Sequence, residues 1–325
     1  MTEKDFNIQK FSFLKIMTSS DLSVRKLPLM EIRSRNEGPV LWLTACSHGE
    51  EIGGVVVIQE VFKKLKKYPL KKGRIFAFPL MNPMGFETLS RNITISEEDL
   101  NRAFPGNPEG TLAERIAHKI FSTIIETNPD LVIDLHNDWI NSIPYTLIDP
   151  RSENIQENIY EIVKNYANLT GFVKVIDTEL LKKSLSYNLL LNGIPSLTLE
   201  LGQSYIVDEK NVDLGVNSIF NILKALEMID YNEEMKLFNS YRPDLQDNLW
   251  LKYSNKPLCS KSGIIRFLIK PGDRIQKGKV FARVFNAFGK IQETLVSQYE
   301  GIILGHSDSS VVFPGMQVIS IGVIE

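Results

Sequence analysis

The 325-residue sequence predicts an α/β fold, a sheet with helices on both faces, followed by a small all-β domain. From about residue 38 to residue 230, short apolar runs alternate with segments of helical period, which is the pattern of an α/β sheet. One run, residues 130–136, is almost continuously apolar, as in a strand that is covered on both faces. From residue 258 onward, short strand patterns alternate with turns, and no segment there has a helical period.

Each element of the α/β domain is predicted from a local signal. The apolar run VLWLTAC runs into a glycine-containing turn and then a second apolar run, so it predicts a strand that leads into a helix. Thr111 and Glu114 have the spacing of a capping box, which predicts a helix start. In order, the sequence predicts a strand at 40–46, a helix at 54–67, a strand at 74–82, a helix from Thr111 to Ile125, a strand at 130–136, a helix at 152–168, a strand at 194–202 and a helix at 214–229.

The last part of the chain predicts a second domain. Residues 231–257 are polar and mixed, as in a linker or docking segment, and Pro-Gly pairs at 271–272 and 314–315 mark turns between short strands. We therefore predict an α/β domain at 1–245 and a β-rich module, including the linker, at 246–325.

The stretch SGIIRFLIKPGDRIQKGKVFARVF resembles a barrel-sandwich, or biotinyl/lipoyl-like, fold. Carriers of that fold present a modified lysine at a hairpin tip, flanked by methionines in the biotin proteins. Lys290 lacks that setting, so we predict a solvated lysine. The module is expected to shape the mouth of a cleft or an oligomer contact.

Composition excludes several kinds of partner. The formal net charge is −2, so no basic face for nucleic acid is expected. The first residues lack the apolar core of a secretory signal, and no apolar stretch is long enough to span a bilayer. Two widely separated cysteines, Cys46 and Cys259, predict reduced thiols instead of a disulfide framework. We therefore expect a cytoplasmic protein without nucleic-acid or membrane partners; a homo-oligomer is compatible with the sequence.

Several reactive side chains have a structural interpretation. Cys46 lies two residues before His48 and could be a metal ligand or nucleophile, but its place in an apolar strand favours a packed thiol. We expect His118 to pack in its helix or lie at the surface, and His306 to be exposed in a polar turn. Tyr299 could reach the cleft if the β-rich module folds over it.

Polar side chains follow the predicted strands of the α/β domain. His48 and Glu51 end the first strand, His136 ends the third, and Glu200 ends the fourth. The loop after the second strand contains Arg91, Asp99, Asn101 and Arg102. Because ligand sites of open α/β sheets form outside the carboxyl ends of the strands, these segments are expected to meet in one crevice.

His48, Glu51 and His136 form a two-histidine, one-carboxylate set, which is the ligand class of a hydrolytic zinc site with one open position. A turn containing His-x-x-Glu can bring both side chains onto one ion, and a third ligand from another strand completes the set. We therefore predict one Zn²⁺ per chain. Glu50 is an alternative ligand to Glu51, although we expect it to face solvent or to lie behind the ligands.

Five segments carry a resemblance to a known family. SHGEE (47–51), NP-MGFETLSRN (82–92), DLNRAFPG (99–106), DLH (134–136) and LTLELG (197–202) resemble the succinylglutamate desuccinylase/aspartoacylase family, which belongs to the carboxypeptidase A-like zinc hydrolases. The motifs occur in the family's order and cover about residues 38–230. The resemblance implies a carboxypeptidase-like mixed sheet and hydrolysis of a small N-acyl amino acid by metal-activated water.

The resemblance also implies residue roles. His48, Glu51 and His136 match the zinc ligands, and Glu200 matches the carboxylate that acts as general base and acid on the water. A base must stand beside that water and not replace it, so Glu200 is not expected to be a fourth ligand. Arg91 matches the arginine that polarises the scissile carbonyl, where it would stabilise developing negative charge.

Three further positions match family residues that act around the ion. Asn101 and Arg102 match the pair that holds the substrate carboxylate, for which a guanidinium offers a planar, bidentate fork. Asp99 occupies the place from which an aspartate braces the first zinc histidine.

The sequence departs from the family pattern in one respect. Members that act on acidic substrates have another basic residue shortly before the catalytic glutamate, whereas here Lys182 and Lys183 are the nearest cations. Asp138 and Trp139 follow the third ligand, where they could line the pocket. An acid there would oppose a dianionic substrate, so we hypothesise a substrate that carries an amine.

Two other functions are consistent with the same residues. A zinc carboxypeptidase would trim the C-terminal residue of short peptides instead of releasing a small acyl group. A catalytically silent binding protein would bind zinc without turnover, and its Glu200 would be dispensable. Fold analogy gives the reaction class and leaves the acyl group and amino acid open.

Overall fold

A mixed sheet of 13 strands runs through most of the chain. The computed structural model describes residues 7–18, 22–230 and 249–324. Six α-helices and a short 3-10 helix at Leu100–Arg102 accompany 17 strands within these ranges. The helices are α1 (Gly53–Lys67), α2 (Pro83–Thr88), α3 (Leu112–Ile125), α4 (Glu157–Leu169), α5 (Leu185–Leu191) and α6 (Glu209–Ala225). The strands are β1 (Ile8–Thr18), β2 (Val24–Arg33), β3 (Val40–Ala45), β4 (Arg74–Phe78), β5 (Leu131–Asp138), β6 (Asn141–Ser142), β7 (Tyr145–Ile148), β8 (Val173–Ile176), β9 (Ser196–Gln203), β10 (Trp250–Ser254), β11 (Gly263–Phe267), β12 (Arg274–Ile275), β13 (Val280–Phe285), β14 (Ile291–Val296), β15 (Gly301–His306), β16 (Val311–Val312) and β17 (Ile319–Val323).

The large sheet has the order β1-β2-β4-β3-β5-β9-β7-β8-β10-β17-β15-β12, and β6 pairs with β15. Its centre is parallel, because β3 pairs in parallel with β4 and β5, and β5 pairs in parallel with β9. Strand β7 is antiparallel to β9, which makes the sheet mixed. A second sheet of four strands has the order β14-β13-β11-β16. The predicted mixed α/β fold with an all-β C-terminal part is confirmed.

Helices cover both faces of the sheet. On one face, apolar side chains of α1, α4 and α6 pack in one core with Leu131, Ile133 and Leu135 of β5. On the other face, α3 packs in a second core with Val132 of β5 and Trp42 of β3. Because side chains alternate along a strand, each central strand contributes to both cores. The alternation explains why these strands are almost continuously apolar in sequence.

The predicted elements of the central domain are confirmed to within a few residues. The capping box of α3 is present, since the Thr111 hydroxyl accepts from the Glu114 amide (3.3 Å) and Glu114 Oε2 accepts from the Thr111 amide (3.0 Å). The sequence pattern missed the short strands β7 and β8, and it assigned nothing to the antiparallel hairpin β1–β2. Within the described ranges, none of the helices combines the length and hydropathy needed to cross a bilayer.

The predicted domain boundary at 245/246 falls in residues 231–248, outside the described ranges, and stays a prediction. The strand that follows these residues joins the large sheet, since β10 pairs in parallel with β8 and antiparallel with β17. The sheet therefore continues from the α/β region into the C-terminal strands. Lys290 is exposed beside the β13–β14 turn, as predicted for a solvated lysine.

Candidate active site

Three neighbouring strands build the floor of a cavity on the α3 side of the sheet. In register, His136 of β5 lies beside Glu200 of β9, and Glu200 lies beside Tyr145 of β7. Residues two positions away along each strand point to the same face, so Asp134 and Thr198 lie on this face, and Thr198 continues the floor. The leucines that alternate with them in β9 face the opposite core. Alternation therefore turns one side of otherwise apolar strands into a polar surface.

A tight turn between β3 and α1 supplies the other two predicted ligands. Cys46 has a positive φ of 56°, and the amide of Gly49 donates to the Ser90 carbonyl (2.8 Å). A Cβ at Gly49 would lie 1.9 Å from the carbonyl carbon of Gly85, so only glycine fits against α2. The Cys46 thiol is fully buried, as predicted for a packed cysteine. Burial raises the pKa of this thiol far above its ordinary value, and nearby acidic charges add to the shift.

His48, Glu51 and His136 meet at one point. One Glu51 oxygen lies 2.6 Å from His48 Nδ1, and the other lies 2.7 Å from His136 Nδ1. One ligand atom from each residue lies within 4.8 Å of the others, and all three side chains are buried. The predicted convergence of the turn that carries His48 and Glu51 with the strand end that carries His136 is therefore present.

The outer nitrogen of each imidazole also faces a carboxylate. His48 Nε2 lies 3.2 Å from Asp99 Oδ1, and His136 Nε2 lies 2.8 Å from Asp134 Oδ2. Each ring must then be doubly protonated to donate to both of its carboxylates. A divalent ion satisfies the same geometry by replacing the two inner protons, while the outer carboxylates fix tautomer and orientation. The donor set fits a metal ion, and the cluster could hold one.

Glu200 stands beside this cluster without joining the ligand triad. Its Oε2 atom is buried and has no hydrogen-bond partner among the described residues. Burial raises the pKa of Glu200 well above its ordinary value; His136 opposes this shift, whereas the charges of Asp138 and Glu51 add to it. A carboxyl group of this kind holds a proton readily, which is the property needed of a group that exchanges protons with a substrate.

The predicted polar loop reaches the same site. Arg91 donates to Asp99 Oδ2 (3.1 Å), and its guanidinium lies 3.9 Å from Glu51. Asn101 is fixed because its Oδ1 accepts from the Leu185 amide at the start of α5 (2.9 Å). Arg102 is exposed and donates to the Asn101 carbonyl (2.9 Å). Asp99 contacts both His48 and Arg91, so this one carboxylate connects the loop to the three candidate metal ligands.

All seven predicted site residues line one cavity of about 380 Å³. Asp138 and Trp139 also line it, as the sequence suggested, whereas Lys182 and Lys183 are exposed and outside its lining. The C-terminal part contributes to the wall through three residues that the sequence did not single out: Tyr253, Asn255 and Gln317. These three residues belong to none of the motifs recognised in the sequence, which all lie before residues 231–248.

One expectation was wrong, and two open alternatives are decided. Of the two alternatives for Glu50, exposure to solvent is excluded, since the residue is buried outside the ligand triad and burial raises the pKa of its carboxyl. His306 is not in an exposed turn but ends strand β15, half-buried and stacked on Phe267 with ring centroids 4.0 Å apart. Tyr299 is outside the cavity lining, so Tyr253 and not Tyr299 brings a C-terminal tyrosine to the site.

Asp134 was missed in the sequence although a signal was present. It lies two residues before His136 in β5, and strand alternation places both side chains on one face. The Thr44 hydroxyl donates to its second oxygen (2.6 Å), so both oxygens are engaged.

The chain is similar in sequence to proteins of one hydrolase family. The model of the succinylglutamate desuccinylase/aspartoacylase catalytic domain matches residues 37–226. An N-alpha-acetyl-L-2,4-diaminobutyric acid deacetylase from Halomonas elongata is 32% identical over 127 residues, which are 38% of this chain and 36% of that protein. The match therefore spans about a third of that relative's length.

Two solved structures show the likeness of the fold. A succinylglutamate desuccinylase/aspartoacylase from Rhodobacter sphaeroides aligns with a TM-score of 0.83 at 18% identity, covering 99% of this chain and 97% of that one. A metallo-carboxypeptidase from Burkholderia cenocepacia aligns with a TM-score of 0.55 at 16% identity, covering 67% and 65% of the two chains. The α/β region thus has a carboxypeptidase-like fold. Because the family model matches more than half of the sequence, the chain belongs to the succinylglutamate desuccinylase/aspartoacylase family.

Proposed function

We propose that this protein is a zinc-dependent deacylase, with one ion per chain, that hydrolyses the amide bond of a small N-acyl amino acid. The observation that carries the proposal is the convergence of His48, Glu51 and His136 in a cavity that Glu200 also lines. Two imidazoles and a carboxylate leave one coordination position open, as catalytic zinc sites do.

The metal ligands of the proposal are His48, Glu51 and His136. When bound, a divalent ion supplies Lewis acidity at this point, which polarises a carbonyl oxygen and acidifies water. Asp99 and Asp134 keep the inner nitrogens of the two histidines directed at Glu51, so these side chains are organised before any ion arrives.

The remaining residues have roles in proton transfer and in orientation. Glu200 takes a proton from the attacking water and later gives one to the leaving amine; its raised pKa suits both steps. Arg91, at the edge of the ligand cluster, stabilises the negative charge that develops on the carbonyl oxygen. Arg102 and Asn101 bind the α-carboxylate of the amino acid at the cavity wall.

The comparisons support deacylation over peptide trimming. The family to which the chain belongs is named for a desuccinylase and an aspartoacylase, and the Halomonas relative is named a deacetylase of an N-acetylated diamino acid. The cavity volume of about 380 Å³ is near the lower end of the range for ligand pockets, which suits a small substrate.

Metal analysis combined with a hydrolysis screen tests the proposal. Purified protein should contain zinc, or gain activity with it, and should release acetate, succinate or another small acyl acid from N-acyl amino acids. Glu200→Gln serves as the matched variant, since it should retain the metal and lose turnover. Removal of C-terminal residues from peptides without acyl release would indicate a carboxypeptidase. Bound metal without turnover of any amide would indicate a binding protein.

A further inference from the structure

The end of the cavity away from the candidate metal ligands His48, Glu51 and His136 is acidic. Strands β7 and β8 are parallel neighbours, and each is followed directly by an aspartate, Asp149 after β7 and Asp177 after β8. Glu179 follows two residues later and is exposed. All three residues line the cavity, and neither the family motifs nor the proposed reaction uses them. They form what we call the distal acid group: Asp149, Asp177 and Glu179.

Asp149 is the deepest member, and no cation among the described residues forms an ion pair with it. The residue is only 9% exposed, and its carboxyl is held by the side chain of Ser186 in α5. In the described part of the chain, no lysine, arginine or histidine forms an ion pair with any member of the distal acid group. Burial raises the pKa of Asp149 to about 6, and the nearby charge of Asp177 adds to the shift. A buried carboxylate is costly unless a positive group compensates it.

The charge of the whole cavity also favours a ligand with a positively charged group. Among its lining residues, six carboxylates face two guanidinium groups, so a bound divalent ion would still leave an excess of negative charge. A dianionic substrate would add to that excess, whereas a positively charged side chain would reduce it. The carboxylates are Glu51, Asp138, Asp149, Asp177, Glu179 and Glu200, and the guanidinium groups belong to Arg91 and Arg102.

The distance along β7 sets where the positive group must lie. Tyr145 is the register neighbour of Glu200, and Asp149 lies four residues further along the same chain segment. At about 3.3 Å per residue, the backbone positions of Tyr145 and Asp149 are roughly 13 Å apart. The side chains of Glu200 and Asp149 shorten that gap, which leaves room for a short aliphatic chain between them.

We propose that Asp149, supported by Asp177 and Glu179, binds the terminal ammonium of the substrate's amino-acid side chain. The proposal rests on the proposed deacylase function and names its substrate class, an N-acyl amino acid with a cationic side chain. It assigns the recognition of the amine to the distal acid group and not to Asp138, which lies two residues after the proposed metal ligand His136 and accepts from the Tyr145 hydroxyl (3.0 Å) and the Trp139 amide (2.9 Å).

A comparison of three kinds of substrate with wild-type protein tests the substrate class. Nα-acetyl-ornithine and Nα-acetyl-lysine carry an ammonium, Nα-acetyl-norleucine is an uncharged analogue, and Nα-acetyl-glutamate is anionic. We expect kcat/KM for the better ammonium substrate to exceed that of the norleucine derivative by about tenfold or more. Equal or faster hydrolysis of the norleucine or glutamate derivative would overturn the proposal.

Variants test the residue assignment. Asp149→Asn should lower the ratio of kcat/KM between ammonium and uncharged substrates by about tenfold, and Asp177→Asn should lower it less. Asp213→Asn, on the exposed face of α6, removes the same charge outside the cavity and should leave the ratio at its wild-type value. An unchanged ratio in both Asp149→Asn and Asp177→Asn would refute the assignment. Should Asp149→Asn fail to fold, Asp177→Asn alone decides.

Direct binding separates this inference from the proposed reaction. Absence of turnover on every compound would count against the deacylase function and not against the distal acid group. Calorimetric titration of the zinc-loaded protein with free lysine, ornithine and norleucine then decides. Tighter binding of lysine or ornithine, weakened in Asp149→Asn, would support the subsite, whereas equal affinities would remove it.

Discussion

The individual residues of the site are held in place largely by carboxylates. Asp99 and Asp134 face the outer nitrogens of the two histidines, and Glu51 lies between the inner ones. The sequence could predict the two histidines and Glu51 because each follows a run of apolar residues. It could also have predicted Asp134 from its position two residues before His136, but it held no sign that Tyr253 would join them.

Glu200→Gln is expected to lower kcat by about 10²- to 10⁴-fold, because an amide cannot accept the proton from water or return one to the amine. The zinc content should remain at the wild-type level, since Glu200 lies outside the ligand triad. Steady-state kinetics and metal analysis of the same preparation measure both quantities. A variant that kept full activity would rule out Glu200 as the base.

Asp149→Asn should stabilise the protein at neutral pH. The folded state raises the pKa of Asp149 from 3.8 to about 6, so the native protein binds this proton more tightly than the unfolded chain does. The associated stability is present below about pH 4 and is lost as pH rises through about 6, where the buried charge appears. Asparagine never carries that charge, so it should raise the free energy of unfolding by about 1–3 kcal/mol above pH 6.

Denaturant unfolding at several pH values checks this expectation. The difference between Asp149→Asn and wild type should shrink towards zero near pH 3, where the wild-type carboxyl is neutral in the folded state and largely so in the unfolded chain. Asp213→Asn should change the free energy of unfolding by less than about 0.5 kcal/mol throughout, as exposed substitutions usually do. A destabilised Asp149→Asn variant at neutral pH would contradict the description of Asp149 as an uncompensated charge.

Among the elements, the turn between β3 and α1 matters most to the site. Gly49→Ala would place a Cβ 1.9 Å from the Gly85 carbonyl carbon and 2.1 Å from its oxygen, so α2 or the ligand turn must move. We expect a loss of about 3 kcal/mol or more in the free energy of unfolding, together with weaker zinc binding. Thermal unfolding and metal titration measure the two effects.

Gly278→Ala provides the comparison. Gly278 has a φ of +83°, and no neighbouring atom lies within 4 Å of the place that a Cβ would take, so alanine there meets backbone strain without a clash. Its cost should be about 1–2 kcal/mol, with zinc binding unaffected. A Gly49→Ala variant no worse than Gly278→Ala would mean that the close approach of α2 does not matter.

The elements also show where sequence patterns reach their limit. Long periodic segments such as α1 and α3 were predicted to within a few residues, because amphipathic periodicity and a capping box act locally. Strands β7 and β8 have four residues each and no period to detect, and their positions follow from pairing with β9 and with each other. The distal acid group lies at the ends of these two strands, so the pattern that missed the strands also missed the acids.

In the molecule as a whole, the large sheet joins the predicted domains. Strand β10 pairs with β8 on one side and with β17 on the other, and its residue Tyr253 lines the cavity. We therefore expect the α/β part and the C-terminal strands to unfold in one transition, because separation would break backbone pairing and open the cavity wall. Calorimetry should give equal calorimetric and van't Hoff enthalpies. Two resolved transitions would show that the C-terminal part folds independently.

The proposed zinc site is tested most directly by anomalous diffraction at the zinc absorption edge, from crystals grown with the metal. We expect one peak per chain, between His48 Nδ1, the Glu51 carboxylate and His136 Nδ1, at about 2.0–2.3 Å from each. No peak at this position, or a fully occupied zinc site elsewhere in the chain, would contradict the assignment of these three ligands.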